Sequence, residues 1–117
     1  MYRRLQALFS CGLAFFLLLP LIVSAEETAI TWYGQSAFKV VTPAGRVLII
    51  DPWIVNPLNP HGAQDLESMN KVDLILITHG HSDHVGNSIA IANKTGAKLV
   101  ASYDLGRALV QYGGFPE

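Results

Sequence analysis

The chain has 117 residues, half of them hydrophobic, with 8 Lys and Arg residues against 9 Asp and Glu residues. This length excludes more than one ordinary domain. The few basic residues form no cluster, so we expect no nucleic-acid partner. The single cysteine, Cys11, lies near the N-terminus, which excludes a disulfide within the rest of the chain.

Residues 1–25 have the pattern of a signal peptide. Two early arginines precede an apolar run over residues 13–23, and small residues follow it. The alternative is an uncleaved membrane anchor, but the run is shorter than the roughly 20 residues a spanning helix needs, and Pro20 interrupts it. We therefore expect an exported protein, periplasmic or secreted, whose residues 26–117 keep no stable membrane anchor.

Three short runs rich in β-branched and aromatic residues predict strands at 29–33, 36–41 and 46–50. Turn residues separate these runs, so we expect an antiparallel meander. Its core should include Ala37, Val40 and Val47–Ile50.

Residues 51–60 contain three prolines and predict a structured loop. With Trp53 and Leu58 it could form the apolar wall of a pocket, but a rigid connector is the favoured reading.

The second half of the chain predicts alternating helices and strands, and thus an α/β fold. An apolar run at 73–77 predicts a strand buried on both of its faces. A helix at 85–94, a strand at 97–101 and a helix at 104–112 follow, the last with Ser102 in the capping position. A short helix is also expected at 63–70.

The segment Thr78-His79-Gly80-His81-Ser82-Asp83-His84 directly follows the apolar strand. Imidazole and carboxylate are the ligands that zinc and its neighbours in the first transition row prefer. Side chains two apart in an extended turn point to one side, so His79 and His81 can converge on one ion. Asp83 and His84 lie on the next bend and could reach a second ion.

Simpler roles exist for single members of this group. Asp83 alone would be read as a helix N-cap, and His61, which lies outside the cluster, is read as a solvated side chain. Three of the four histidines fall within six positions, which favours metal binding for the cluster as a whole.

Asp51 occupies the matching place after the strand at 46–50. Ligand crevices in α/β sheets lie at the carboxyl ends of strands. If the two strands are neighbours, Asp51 can accept a hydrogen bond from a ligand histidine and fix the tautomer of that ring.

These residues resemble the signature of the metallo-β-lactamase superfamily. The segments 30–38, 47–53 and 73–78, with Val85-Gly86, resemble its branch of metal-dependent hydrolases similar to ascorbate-6-phosphate lactonase. The resemblance implies an αββα sandwich, of which this chain supplies the N-terminal half.

The resemblance also implies a site and a reaction. His79 and His81 would hold one metal, and Asp83 and His84 a second, with Asp51 close by. The cofactor would be zinc, as one or two divalent ions, with manganese or iron as alternatives. A metal-bound hydroxide, oriented by Asp83 as the catalytic residue, would attack an ester, lactone, amide or phosphodiester in a small-molecule substrate.

The chain departs from this pattern at two points. Gln35 stands where the branch usually has a histidine. No histidine follows His84, and Asp104 lies in a predicted amphipathic helix, so the further metal ligands of the family are missing. Catalytic zinc normally has three protein ligands, and we therefore expect a fragment that is inactive on its own.

Two other functions remain open at this stage. One is a non-enzymatic module that binds a metal or a partner through this half-fold, and the other is an iron oxidoreductase of the same superfamily. The sequence leaves the substrate and the oligomeric state open.

Overall fold

The computed structural model describes residues 27–116, so the signal peptide expected at residues 1–25 lies outside the described part. The described part contains a five-stranded sheet in which strand order equals chain order. The strands are β1 (Ala29–Trp32), β2 (Phe38–Val41), β3 (Val47–Ile50), β4 (Leu74–Leu76) and β5 (Lys98–Val100). The helices are α1 (Gly62–Ser68), α2 (Ser82–Val85), α3 (Ser88–Thr95) and α4 (Tyr103–Gln111).

The first three strands form the expected antiparallel meander. A tight turn joins β1 to β2, where the amide of Ala37 donates to the carbonyl of Gly34 over 3.0 Å. A second turn precedes β3, where the amide of Gly45 donates to the carbonyl of Thr42 over 2.8 Å. Ala37, Val47 and Ile49 are buried as expected. Val40, Leu48 and Ile50, which were also expected in the core, are only half-buried.

The last three strands are parallel, because each connection between them returns the chain to the same end of the sheet. The segment from α2 to α3 connects β4 to β5, as expected for an α/β fold. The carboxyl ends of β3 and β4 therefore meet at one edge, which places Asp51 beside the segment that begins at Thr78.

The two faces of the sheet differ in burial. One face joins the helices in a single core cluster that includes Val47, Ile49, Ile75, Ile91, Ala92 and Leu109. Two rows of side chains, defined by the strand register, cross the other face. The first row is Trp32, Phe38, Ile50, Leu76 and Val100, and the second is Ile30, Val40, Leu48, Leu74 and Lys98.

This second face is apolar in nine of its ten positions, yet none of its side chains is buried. Trp32 is 60% exposed and Ile30 is 67% exposed. The expectation that the strand at 73–77 is buried on both faces is wrong for the described part of the chain. Ile75 is buried, but Leu74 and Leu76 are only half-buried because they belong to this second face.

The helix expected at 85–94 is divided in the structure. α2 ends at Val85 and α3 begins at Ser88. Between them Gly86 has φ 43° and ψ −122°, a conformation that an L-residue rarely adopts. A Cβ atom at Gly86 would lie 2.5 Å from the Cα of Trp53, so close packing of the 51–60 loop causes the break. Ser102 is the N-cap residue of α4, but its side chain makes no capping hydrogen bond.

Candidate metal centre

The candidate site lies at the edge where β3 and β4 end. The amide of Asp51 donates to the carbonyl of Leu76 over 2.9 Å, which continues the β3–β4 ladder into the loops. The amide of Ile77 donates to the carbonyl of Val100 over 2.9 Å and holds the start of the histidine segment against β5. The backbone on both sides of the site is therefore fixed by the sheet.

Asp51 is the buried polar group of this edge, with 2% of its surface exposed. Its Oδ1 accepts the amide N–H of Thr78 over 2.8 Å, and its Oδ2 accepts the Thr78 hydroxyl over 2.7 Å. Its Oδ2 also lies 2.9 Å from Nδ1 of His84. The three contacts satisfy a carboxylate that burial alone would destabilise.

Opposing effects set the pKa of Asp51. Burial raises it, but the hydrogen bonds from the Thr78 amide, from His84 and from the Thr78 hydroxyl together outweigh burial. The net result is a pKa below the ordinary aspartate value, so Asp51 is an ionised acceptor at neutral pH.

The backbone of Asp51 is also unusual, with φ 43°. Aspartate tolerates this left-handed region better than most residues, at a cost of roughly 1–2 kcal/mol. The turn that follows closes with a 2.7 Å hydrogen bond from the Trp53 amide to the carbonyl of Asp51. In this conformation the carboxylate of Asp51 lies within hydrogen-bond distance of Thr78 and His84.

The four residues of the predicted metal cluster form two pairs. Nε2 of His79 lies 2.9 Å from Nδ1 of His81. Nε2 of His84 lies 3.8 Å from Oδ2 of Asp83. The pairs are adjacent, because the ring centroids of His79 and His84 are 3.9 Å apart.

The helical turn α2 creates the second pair. His81 is its N-cap residue, and the amides of His84 and Val85 both donate to the carbonyl of His81. This single turn folds the chain back, so that His84 reaches Asp51 while Asp83 remains 43% exposed. Asp83 lies in the first turn of the helix and is not its N-cap.

The donors fit a divalent transition metal in chemistry and orientation. Two nitrogens bound to one tetrahedral zinc lie about 3.3 Å apart for Zn–N bonds of about 2.0–2.1 Å, which is close to the separation in the His79–His81 pair. Asp51 occupies Nδ1 of His84 and leaves Nε2 for a ligand, as a carboxylate behind a metal-binding histidine does.

The donors do not fit in number. Within residues 27–116, no group of three or more His, Cys, Asp or Glu side chains is arranged to hold a metal ion. Each pair thus offers two donors where zinc normally takes three or four from the protein. The described residues thus offer fewer donors than a complete zinc site requires.

The other residues singled out from the sequence lie apart from these contacts. His61 is exposed and is the N-cap residue of α1. Gln35 is exposed, has φ 50°, and its carbonyl accepts the indole N–H of Trp32 over 2.9 Å. Asp104 is exposed in the first turn of α4.

Two residues beside the site were given no role in the sequence analysis. Thr78 contacts Asp51, His79 and His84 through one oxygen atom. Asn87 accepts the amides of Ile54 and Val55 with its side-chain oxygen. The sequence signals that could have indicated their roles were the position of Thr78 directly before His79 and the position of Asn87 directly after Gly86.

The 51–60 loop is held from both sides. Asn56 is buried, and its Nδ2 donates to the carbonyl of Tyr33 over 2.8 Å. The amide of Asn87 donates to the carbonyl of Pro52 over 2.8 Å, and Ile54 is fully buried. These contacts favour the connector reading, while Leu58 remains 58% exposed at the loop surface.

Residues 27–116 include no helix with the length and apolar character needed to cross a membrane.

Comparison with known proteins identifies the family of the chain. Residues 29–112 match the model of the beta-lactamase superfamily domain, and the chain belongs to that superfamily. A UPF0173 metal-dependent hydrolase of Thermodesulfovibrio yellowstonii is 60% identical over 101 residues, which make up 86% of this chain and 38% of that protein. A UPF0173 metal-dependent hydrolase of Anaeromyxobacter sp. strain K is 52% identical over 91 residues, or 78% of this chain and 32% of that protein.

A solved structure is also similar. It is a metallo hydrolase from the hyperthermophilic archaeon Ignicoccus hospitalis, with 40% sequence identity and a TM-score of 0.67. The match covers 74% of this chain and 36% of that one. The expected α/β fold of metallo-β-lactamase type is thereby confirmed, and the chain spans about two-fifths or less of the length of these relatives.

Proposed function

We propose that this chain carries the metal-binding edge of a metal-dependent hydrolase. His79 and His81 hold one divalent ion, and Asp83 and His84 hold a second, with zinc as the first candidate and manganese or iron as alternatives. The 2.9 Å contact between Asp51 and Nδ1 of His84 is the observation that carries the proposal, because it leaves Nε2 of His84 directed toward Asp83.

A bound metal of this kind would supply a water of lowered pKa and would polarise the bond to be cleaved. The residues of the chain position the other participants. Asp51 keeps His84 in one orientation, and the partly exposed carboxylate of Asp83 can accept a proton from a water molecule and orient it. The substrate class that fits this chemistry is a small ester, lactone, amide or phosphodiester.

Metal content of the purified full chain tests the binding part of this proposal. The chain is loaded in turn with zinc, manganese and ferrous iron, dialysed, and analysed for metal per polypeptide. We expect less bound metal in His81→Ala and in Asp83→Ala than in the unsubstituted chain. His61→Ala is the matched control, because it removes an exposed imidazole outside the cluster. Equal retention of metal in all variants would refute the assignment.

The proposed hydrolytic activity is tested in a protein of the full length of the relatives, because the chain matches only 38% of the Thermodesulfovibrio protein. Residues 29–112 are grafted in place of the matching part of the Thermodesulfovibrio relative, and the hybrid is assayed against a panel of esters, lactones, amides and phosphodiesters. Asp83→Ala in the hybrid should reduce any hydrolysis by about 10²–10⁴-fold. Undiminished hydrolysis would refute the role of Asp83. Oxygen consumption by an iron-loaded hybrid would favour the oxidoreductase alternative.

We also propose that the protein is exported, on the signal-peptide pattern of residues 1–25. Expression with a C-terminal epitope, followed by N-terminal sequencing of the exported fraction, should give a chain that begins at Glu26. Retention of Met1 in a cytoplasmic product would contradict the proposal.

A further inference from the structure

The side-chain oxygen of Thr78 contacts three residues of the candidate site. It lies 2.7 Å from Oδ2 of Asp51, 3.1 Å from Nδ1 of His79 and 3.3 Å from Nδ1 of His84. The amide of Thr78 separately donates to Oδ1 of Asp51, so the backbone here is held whatever the side chain does. The hydroxyl therefore has contacts that the fold alone does not require.

The direction of each hydrogen bond follows from the chemistry of the partners. An ionised carboxylate only accepts hydrogen bonds, so the single proton of the Thr78 hydroxyl must point to Asp51. The Thr78 oxygen then has only lone pairs to offer its neighbours. Nδ1 of His79 must carry the proton in that contact, which leaves Nε2 of His79 without one.

The same reasoning applies to His84 in the Asp83–His84 pair, which contacts Asp51 directly and not through Thr78. Nδ1 of His84 lies 2.9 Å from Oδ2 of Asp51, so it carries a proton as well and leaves Nε2 free. The unprotonated nitrogen of each ring is the one that faces the other member of its pair, His81 or Asp83. A neutral imidazole binds a metal through that unprotonated nitrogen.

From this geometry we infer that Thr78 is a positioning residue. Its hydroxyl donates to Asp51 and therefore accepts the Nδ1 proton of His79. One buried carboxylate thus fixes the tautomer of His79 through Thr78 and that of His84 directly. The inference deepens the proposed function and rests on it. Thr78 touches no reacting atom, because its effect passes through His79.

One consequence concerns the metal-free protein. If Nε2 of His79 has no proton, its 2.9 Å contact with Nδ1 of His81 requires the proton to be on His81. The His79–His81 pair is then held by a hydrogen bond of fixed direction until a ligand replaces it. A metal bound through Nδ1 of His81 would require the neutral ring to carry its proton on Nε2 instead.

The test measures histidine tautomers in the full chain, free of metal and at alkaline pH, where free imidazole is neutral. Long-range proton–nitrogen NMR on a ¹⁵N-histidine sample distinguishes the two tautomers, and single histidine substitutions assign the signals. The variants are Thr78→Val, which keeps the shape and loses the hydroxyl, and Thr78→Ser, which keeps the hydroxyl. Thr95→Val is the matched control, because its hydroxyl donates to the carbonyl of Ile91 in α3.

We expect the Nδ1–H tautomer for His79 in the unsubstituted chain, in Thr78→Ser and in Thr95→Val. Thr78→Val should convert His79 largely to the Nε2–H tautomer. In a chelator competition, it should also bind zinc about 10-fold more weakly. An Nε2–H tautomer in the unsubstituted chain would overturn the inference even if no variant folds. An unchanged His79 tautomer in Thr78→Val, or a shifted one in Thr78→Ser, would also overturn it.

These results are separable from the proposed function, since the tautomers are read without metal. Suppose that the unsubstituted chain shows the expected tautomers but binds no metal. This result would support the hydrogen-bond arrangement of Asp51, Thr78 and His79 and would contradict the proposed metal site.

Discussion

Oδ2 of Asp51 lies 2.9 Å from Nδ1 of His84, across 33 positions of sequence, and joins the end of β3 to the turn that follows β4. The contact between Asp51 and His84 depends on β3 and β4 being parallel neighbours. Because they are parallel, the carboxyl ends of both strands lie at the same edge of the sheet.

Replacing Asp51 with Asn should weaken metal binding by about 10–100-fold. The amide offers one acceptor oxygen to three donors, and its NH₂ group faces hydrogen-bond donors where the carboxylate had an acceptor. A competition titration against a chelator measures the change. Asp104→Asn, which alters an exposed carboxylate of α4, is the control and should bind as the unsubstituted chain does. Equal affinity in both variants would show that Asp51 does not support the ligands.

Acidification should weaken a second carboxylate contact, at the opposite end of β3. The amide of Val47 donates to Asp73 over 2.8 Å, and the guanidinium of Arg46 lies 2.9 Å from the same group. These bonds, the Val47 amide first, hold the pKa of Asp73 below its ordinary value. A lowered folded-state pKa stabilises the fold above the unfolded value of about 3.9, and the stabilisation is lost as pH falls through the folded pKa.

Asp73→Asn should therefore be less stable than the unsubstituted chain at neutral pH, and this difference should shrink from about pH 4 downward. Urea midpoints measured across that range test the expectation, with Asp104→Asn as the control for a general charge effect. A difference that stays constant with pH would mean that ionisation of Asp73 plays no part.

Gly86→Ala should destabilise the fold more than Gly96→Ala. Both glycines have positive φ, which alone costs an alanine roughly 1–2 kcal/mol. Only at Gly86 does the new Cβ also meet backbone, 2.5 Å from the Cα of Trp53 and 2.6 Å from the carbonyl oxygen of Pro52. No atom lies within 4 Å of a Cβ at Gly96. Equal urea midpoints for the two variants would contradict the close packing that divides α2 from α3.

Asn87→Ala should release the 51–60 loop. The side-chain oxygen of Asn87 accepts the amides of Ile54 over 2.9 Å and of Val55 over 3.0 Å, so its removal leaves both donors unpaired. We expect these two amides to exchange with deuterium much faster, and stability to fall by about 1–3 kcal/mol. Asn87→Asp keeps the acceptor and should retain slow exchange. Fast exchange in both variants would indicate that another contact holds the loop.

The fold was largely predictable because its elements are short and strongly patterned. β-Branched and aromatic runs located the first three strands, and short apolar runs located β4 and β5. The position of the cluster at a strand end predicted that Asp51 would lie near the histidines if β3 and β4 were neighbours. Element ends were less accurate: β4 is Leu74–Leu76, shorter than the predicted 73–77. Strand ends depend on pairing with a partner strand, which a single segment does not encode.

The remaining differences have long-range causes. The break at Gly86 results from contact with Trp53, more than thirty positions away. Leu74 and Leu76 are half-buried because their side chains lie on the second face of the sheet. The burial of a face depends on which other segments pack on it, and this is not encoded in the strand itself. Thr78 was named with the histidine segment but given no role, because a hydroxyl before a histidine has no periodic pattern. Its contacts depend on Asp51 lying beside it.

Strand order equal to chain order has a kinetic consequence. Within residues 27–116, each strand after β1 pairs with the strand that precedes it in the chain, so each pairing closes only the segment between two consecutive strands. Topologies dominated by such local pairings fold faster than those with distant ones. The Asp51–His84 contact can form once β4 has joined β3 and α2 has wound, before β5 or α4 is in place. During synthesis the ligand-bearing edge can thus assemble from the N-terminal side, strand by strand, as the chain emerges.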